Sequence, residues 1–345
     1  MYPSAERQYD AWIGLDDMFK YILRRTANYV ILLFVAVSGT YFLAAVCLNP
    51  YSIYAVRQPP VDPVMLENMM RKYNLSNQVP LLERYWTWLT NVLLHWDWGR
   101  SPLGAYVNDQ IGSRMWVSLR LVLIGTLIGT VIGVALGVWA AVRQYKVGDR
   151  IYTVAVMISL STPTIVLAVV FMILATQLNR ATGMQIIQFT GMNSANIPDY
   201  PGAALVDMAK HMLLPTIVLT IIQASYLSRM QRNLMLDTLG ADYVRTARAK
   251  GLTKQQAVRR HALRTALIPI GTQVAFSIPL MFTGAVVTET VFTWQGIGKY
   301  TVDTISKMDV NGVVAVTAFS GVLICIGAIL SDVVVSALDP RVRLT

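Results

Sequence analysis

The chain offers little that could do covalent chemistry. Its three histidines, His95, His211 and His261, have no metal-ligand spacing, and no His-Glu-x-x-His occurs. The two cysteines, Cys47 and Cys325, sit in or beside apolar runs and build neither a disulfide framework nor a metal site. No Gly-x-Ser-x-Gly presents a nucleophile. "GIGKY" (296–300) resembles the end of a phosphate-binding loop, but Tyr300 replaces the required Ser or Thr and the earlier glycine is missing. Gly125, Gly129, Gly133 and Gly137 recur every fourth residue in a charge-free run with no preceding strand, which excludes a dinucleotide loop. On a helix they make one smooth face that a second helix backbone can approach closely. An enzyme is therefore not expected, and no cofactor is expected in this chain. What remains is a basic stretch, "RTARAKGLTKQQAVRRHALRTALIP" (245–269), with seven Lys or Arg, one His and no acid.

The elements that must position that stretch are apolar. Of 345 residues 54% are hydrophobic and 14% charged, with a mean hydropathy of +0.48, against about 25% charged in a soluble domain. Six runs, 27–48, 121–142, 151–178, 211–228, 265–288 and 312–331, contain no Asp, Glu, Lys or Arg. Runs of about 20 apolar residues read as bilayer spans. The expected fold is an all-α integral membrane protein with six transmembrane helices. Lys20, Arg24 and Arg25 before the first run suggest a signal peptide, but the run is long for one and no clean cleavage site follows, so it is read as a retained span.

Charge orients the spans. Segments 1–26, 143–150, 229–264 and 332–345 hold 18 Lys or Arg in 84 residues, and the alternate segments 49–114, 179–210 and 289–311 hold 10 in 121. Both termini and the basic stretch are therefore expected in the cytoplasm. The net charge of +10 follows from this bias and does not call for nucleic acid. The long outward region 49–114 is rich in aromatics, and 81–101 places Leu82, Tyr85, Trp86, Leu89, Leu93 and Trp96 on one expected helical stripe. That stripe suits a helix lying at the bilayer interface, with an outer platform for a partner protein as the rival reading. Pro163 and Pro279 are expected kinks in the third and fifth spans. Gln223, Gln273 and Ser277 place polar groups at membrane depth, where they either bond between helices or line a translocation path.

The basic stretch reads as an elbow over 237–264. A first helix is expected from 237 to 250 with Ala241, Val244 and Ala247 on one small face, ended by Gly251 as a left-handed cap. Thr253 and Gln256 form a capping box that opens a second helix, which Ala257, Leu263 and Leu267 carry towards the membrane, with Pro269 just inside the fifth span. Such an elbow is shaped to be gripped. Charges that only set topology, or that bind anionic lipid, need no ordered turn.

This elbow resembles the Glu-Ala-Ala-x-x-x-Gly coupling motif of binding-protein-dependent ABC importer permeases. Arg245-Thr246-Ala247 stands in the Glu-Ala-Ala place, Gly251 supplies the glycine, and His261-Ala262-Leu263-Arg264 occupies the later Ile-x-Leu-Pro place. Those departures match the form found in the dipeptide/oligopeptide/nickel subgroup. "ETVFTWQGIGKY" (289–300), "LSDVVVSALDPRVRLT" (330–345) and "WDWGRS" (96–101) are similar to its B-type subunit, so the resemblance covers roughly 20–345. It implies a type I ABC importer permease fold: a cytoplasmic tail over 1–26, a first span 27–48, an extracytoplasmic region 49–114, the permease domain 115–338 and a tail 339–345. It also implies a second homologous permease subunit, one or two cytoplasmic ATPase subunits that bind ATP and Mg, and an extracytoplasmic solute-binding protein. The location implied is a bacterial plasma (inner) membrane, and the cargo a dipeptide or oligopeptide. Asp242, Arg245, Ala247, Arg248, Lys250, Gly251 and Leu252 are then the expected ATPase-coupling residues. Nickel, glutathione or haem is the alternative cargo. A secondary transporter would be expected to carry charged residues within its spans, which are absent.

Overall fold

The computed structural model describes the backbone of 5–197, 199 and 201–338, and side chains there outside 5–22, 254, 275, 276, 278–284 and 332–338. Among these residues the chain is helical, with one isolated antiparallel bridge between Arg100 and Tyr106. The first helices are α1 (Ala5–Cys47), α2 (Ser52–Ala55), α3 (Pro63–Lys72), α4 (Leu81–His95) and α5 (Val107–Val142). Next come α6 (Val147–Ser161), α7 (Thr164–Thr182), α8 (Ala203–Leu239), α9 (Asp242–Ala249) and α10 (Lys254–Ala257). A π-turn (Val258–Ala262) leads into α11 (Leu263–Gly284), followed by α12 (Val286–Val291), α13 (Ile297–Ser306) and α14 (Val310–Leu338).

Five helical stretches among the described residues are long and apolar enough to cross a membrane: Leu23–Ala55, Val107–Val142, Thr164–Thr182, Ala203–Leu239 and Val310–Ser331. The fifth expected span, 265–288, falls on α11, part of whose side chains lie outside the described set. The third expected span, 151–178, is corrected to two helices. Pro163 does not merely kink it, because Thr162 leaves the helix at φ −84° and ψ 122° and Pro163 starts the next one. The residue before a proline is crowded out of the α region, and here that ends the helix. Pro279, by contrast, lies within the continuous helical backbone of α11. The fourth span also extends past 211–228 at both ends as α8.

The helices fall into two compact units. One contains the residues up to Val107, Gly271–Pro279, and those from Met308. Here α1 packs along α14, with Val37, Tyr41 and Ala44 buried with Val310, Val314 and Ala318. The residues between α1 and α5 fold onto this pair. Tyr41 and Trp88 stack with ring centroids 5.0 Å apart, and Tyr85 Oη and Ser38 Oγ share a 2.7 Å hydrogen bond. Asn311 Nδ2 donates to the Arg100 carbonyl at 2.8 Å. Gly99 is held at φ +91° beside that amide, 2.7 Å from where a Cβ would stand, so a larger residue there would be both strained and crowded. The single stripe expected over 81–101 is divided. Trp88, Leu89 and Val92 bury one face of α4 with Arg84, whereas Leu82, Trp86, Leu93 and Trp96 are exposed.

The other unit, Asn108–Ile270 with Leu280–Lys307, is built on a seam between α5 and α8. The four glycines of 125–137 line this seam. A Cβ on Gly125 would meet Leu219, on Gly129 Gln223, on Gly133 the Ala224 backbone, and on Gly137 the Ser228 carbonyl. The distances are 2.9, 2.8, 2.9 and 2.6 Å, and from Gly129 to Gly137 backbone atoms of α8 are among the near neighbours.

Candidate coupling site

The elbow forms because both of its turns are capped locally. At the end of α9 the Gly251 N–H donates to the Arg248 carbonyl (3.0 Å) and the Leu252 N–H to the Ala247 carbonyl (3.3 Å). With Gly251 at φ +92°, this is the paired-bond left-handed ending that a glycine permits. Two residues on, the Thr253 N–H donates to Gln256 Oε1 (3.0 Å) and the Gln256 N–H to Thr253 Oγ1 (3.3 Å), the reciprocal bonds of a capping box. The first elbow helix is shorter than the expected 237–250, because α8 continues to Leu239 and α9 starts only at Asp242.

The underside of the elbow is held by a small apolar cluster. Val244, Ala257, Val258, Ala262 and Ala266 are buried against Ala141 of α5 and Met235 of α8. Ala247 is 6% exposed, and Leu252 packs at the margin of this cluster. The small face over Ala241, Val244 and Ala247 is thus largely taken up within the chain, which corrects the expectation that it is open to be gripped. Asp242, Arg245, Arg248, Lys250 and Gly251 are the coupling candidates left exposed. Arg245 and Asp242 approach at 3.9 Å as an exposed pair worth less than about 1 kcal/mol. A recess of ≈ 380 Å³ opens beside them, lined by Gln144, Tyr145, Val244 and Arg248 among others.

Two supports pair residues too far apart in the chain for any sequence spacing to link them. Arg232 Nε and Nη2 donate to Asp149 Oδ1 and Oδ2, each at 3.0 Å, and the Tyr145 N–H donates to Oδ2 at 3.0 Å. The Arg232 guanidinium holds the Asp149 carboxyl below the usual carboxylate range. Burial opposes this and the Tyr145 N–H assists it. A lowered folded pKa means that the pair contributes fully above the ordinary aspartate value and is lost as pH falls through the lowered one. Asp149→Asn is expected to cost about 3 kcal/mol by leaving a guanidinium without its counter-charge. It should also flatten the acid limb of the thermal-midpoint profile in detergent. A variant with the parent's acid limb would show the pair to be idle.

The second support lies at the other end of α5. Ser118 Oγ donates to Glu289 Oε1 at 2.5 Å and accepts the Ile297 N–H at 2.8 Å. Glu289 Oε2 accepts the Lys299 N–H at 3.1 Å, so one fully buried carboxylate caps the start of α13. A Cβ on Gly296 would collide with Ser118 Oγ and Glu289 Oε2, which explains that glycine in "ETVFTWQGIGKY".

The polar residues expected at membrane depth fall in both units. Gln223 is 7% exposed and packs on Gly129 within the α5–α8 seam. Ser277 donates to the Val274 carbonyl of its own helix (2.9 Å), and Gln273 is half-buried. Gln223 belongs to one compact unit and the other two to the second.

Residues 133–344 match the family described as "Binding-protein-dependent transport system inner membrane component", and the chain belongs to that family. Among curated relatives, the oligopeptide transport system permease protein OppB of Mycobacterium tuberculosis is 40% identical over 328 residues, covering 95% of this chain and all of OppB. AppB of Bacillus subtilis, an oligopeptide transport system permease protein, is 32% identical over 331 residues, covering 94% of this chain and 100% of AppB. The dipeptide transport system permease protein DppB of Escherichia coli is 38% identical over 138 residues, 40% of this chain and 41% of DppB. A structure of the MetNI methionine ABC transporter, inward facing, aligns at a TM-score of 0.49 with 19% identity, covering 67% of this chain and 96% of that one.

Proposed function

We propose that this chain is the transmembrane permease subunit of an ATP-driven ABC importer, taking up oligopeptides or dipeptides delivered by an extracytoplasmic binding protein. The observation that carries the reading is the 40% identity extending over all of OppB. The doubly capped elbow at 242–262 supports it independently. In this reading the chain has six spans of the type I permease fold with both termini in the cytoplasm, and it pairs with a second, homologous permease subunit. It performs no catalysis. One or two ATPase subunits hold ATP and Mg and take the exposed side of the elbow, Asp242, Arg245, Arg248, Lys250 and Gly251, in a groove. Closure of the ATPase pair moves the elbow, and the helices packed on it swing the pathway between its two openings. A coupling element must be rigid and have two positions, and the caps supply the rigidity.

The test is purification of the tagged chain from mild detergent, followed by an ATPase assay on the eluate. Co-purification of a second permease and ATPase subunits, with hydrolysis stimulated by a peptide-loaded binding protein, is expected. Recovery of the chain alone, without nucleotide hydrolysis, would defeat the reading.

A further inference from the structure

We propose that α5 is a strut that joins the coupling elbow to the hook formed by α12 and α13, and that Ser118 and Glu289 are the positioning residues that fasten its far end. The proposal rests on the reading above for the direction of the motion, and on geometry within one compact unit for the fastening. The helix has 36 residues and no proline, so between Ser118 and Ala141 it runs about 35 Å without the commonest source of a kink. At one end Ala141 is buried with Val244, Val258 and Ala262 of the elbow region, and Val138 and Val142 pack around them. At the other end four contacts converge on the hook. Ser118 bonds both Glu289 Oε1 and the Ile297 N–H, Trp294 Nε1 donates to the Val117 carbonyl at 3.3 Å, and Arg114 Nη1 donates to Gln295 Oε1 at 3.2 Å. Trp294 is itself packed on Val117 and Leu121.

These contacts are of the kind that move together. Ser118 and Glu289 are 0% exposed, and their polar atoms find partners in each other and in the backbone of the hook. Separating the hook from α5 would leave a carboxylate and a hydroxyl buried without partners, and such groups cost far more unpaired than their bonds contribute. Gly296 lets the two helices approach so closely that no side chain could stand between them. A displacement imposed on the elbow is therefore delivered to the hook by one rod rather than absorbed along the way.

The experiment uses the whole importer, with its partner subunits and binding protein, in proteoliposomes. Cys47→Ser and Cys325→Ser give a cysteine-free parent, into which Arg114→Cys and Gln295→Cys are introduced together and then bridged by a short bis-maleimide. Because the strut and hook travel as one body, the bridged complex is expected to take up peptide as the unbridged one does. Loss of uptake on bridging would overturn the strut. In separate complexes Ser118→Ala and Glu289→Gln are expected to lower peptide uptake per ATP hydrolysed by roughly tenfold, the equivalent of one buried hydrogen bond. Unchanged uptake per ATP, or hydrolysis and uptake falling in the same proportion, would also overturn it, since a merely structural loss leaves that ratio alone. Absence of ATP-driven uptake in the parent would instead overturn the reading under Proposed function, and the strut with it.

Discussion

Gly137→Leu is expected to prevent α5 and α8 from closing, at a cost of about 3 kcal/mol or more. A Cβ at Gly137 would lie 2.6 Å from the Ser228 carbonyl oxygen, 2.7 Å from Gln231 Cβ and 3.0 Å from the Arg232 nitrogen. Two of those atoms are backbone, so no rotamer change relieves the clash. The effect would spread, because the next residue along α8 is the arginine that braces α6 through Asp149. Gly112 provides the control on the same helix. Nothing lies within 4 Å of its virtual Cβ, and Gly112→Leu should be neutral or gain a few tenths of a kcal/mol in helix propensity. Monodispersity in mild detergent and the thermal midpoint would separate the two. Equal behaviour of both variants would show that the seam is not close-packed.

Gly251→Val is expected to uncouple transport from ATP hydrolysis while the chain still inserts. Nothing lies within 4 Å of the Gly251 Cβ position, so the penalty is conformational, not steric crowding by neighbours. At φ +92° a β-branched residue is strained by about 1–3 kcal/mol, enough to shift the turn out of its paired-bond form. The elbow would then lose the fixed angle between α9 and the helix that follows. The check is peptide uptake per ATP, measured beside protease accessibility of the inserted chain. Gly251→Asn, which tolerates the left-handed region better, should retain more uptake than the valine variant. Wild-type uptake by the valine variant would remove the elbow from the coupling route.

These two glycines were legible in sequence for one reason: each announces a local geometry. A four-residue spacing within an apolar run can only mean one helix face, and a glycine before Leu252 and Thr253 marks a helix end. What was not legible depended on partners far along the chain. Asp149 and Arg232 are 83 residues apart and Ser118 and Glu289 are 171 apart, and no spacing rule links such pairs. Ala247 shows the intermediate case. Its small size suits a face to be gripped, but a sequence does not say what covers such a face, and here most of it is taken up within the chain. Pro163 was recognised as a disturbance, yet whether a proline bends a helix or ends it is decided by the residue before it and by what surrounds the break. At Thr162 the chain is extended, so one expected span became two helices. The charges of Arg229 and Arg232 mark the end of the apolar run but not of the helix, because α8 carries both.

The π-turn at Val258–Ala262 gives the stretch after the elbow a property of its own. It holds one more residue per turn than the α-helices on either side, so α10 and α11 are a single rod with a phase step of about 100° between them. Deleting one residue there would not shorten a loop. It would rewind the rod and turn Ala257 and Val258, now buried, away from Ala141 and Met235. In this part of the chain a change in length is felt as a rotation.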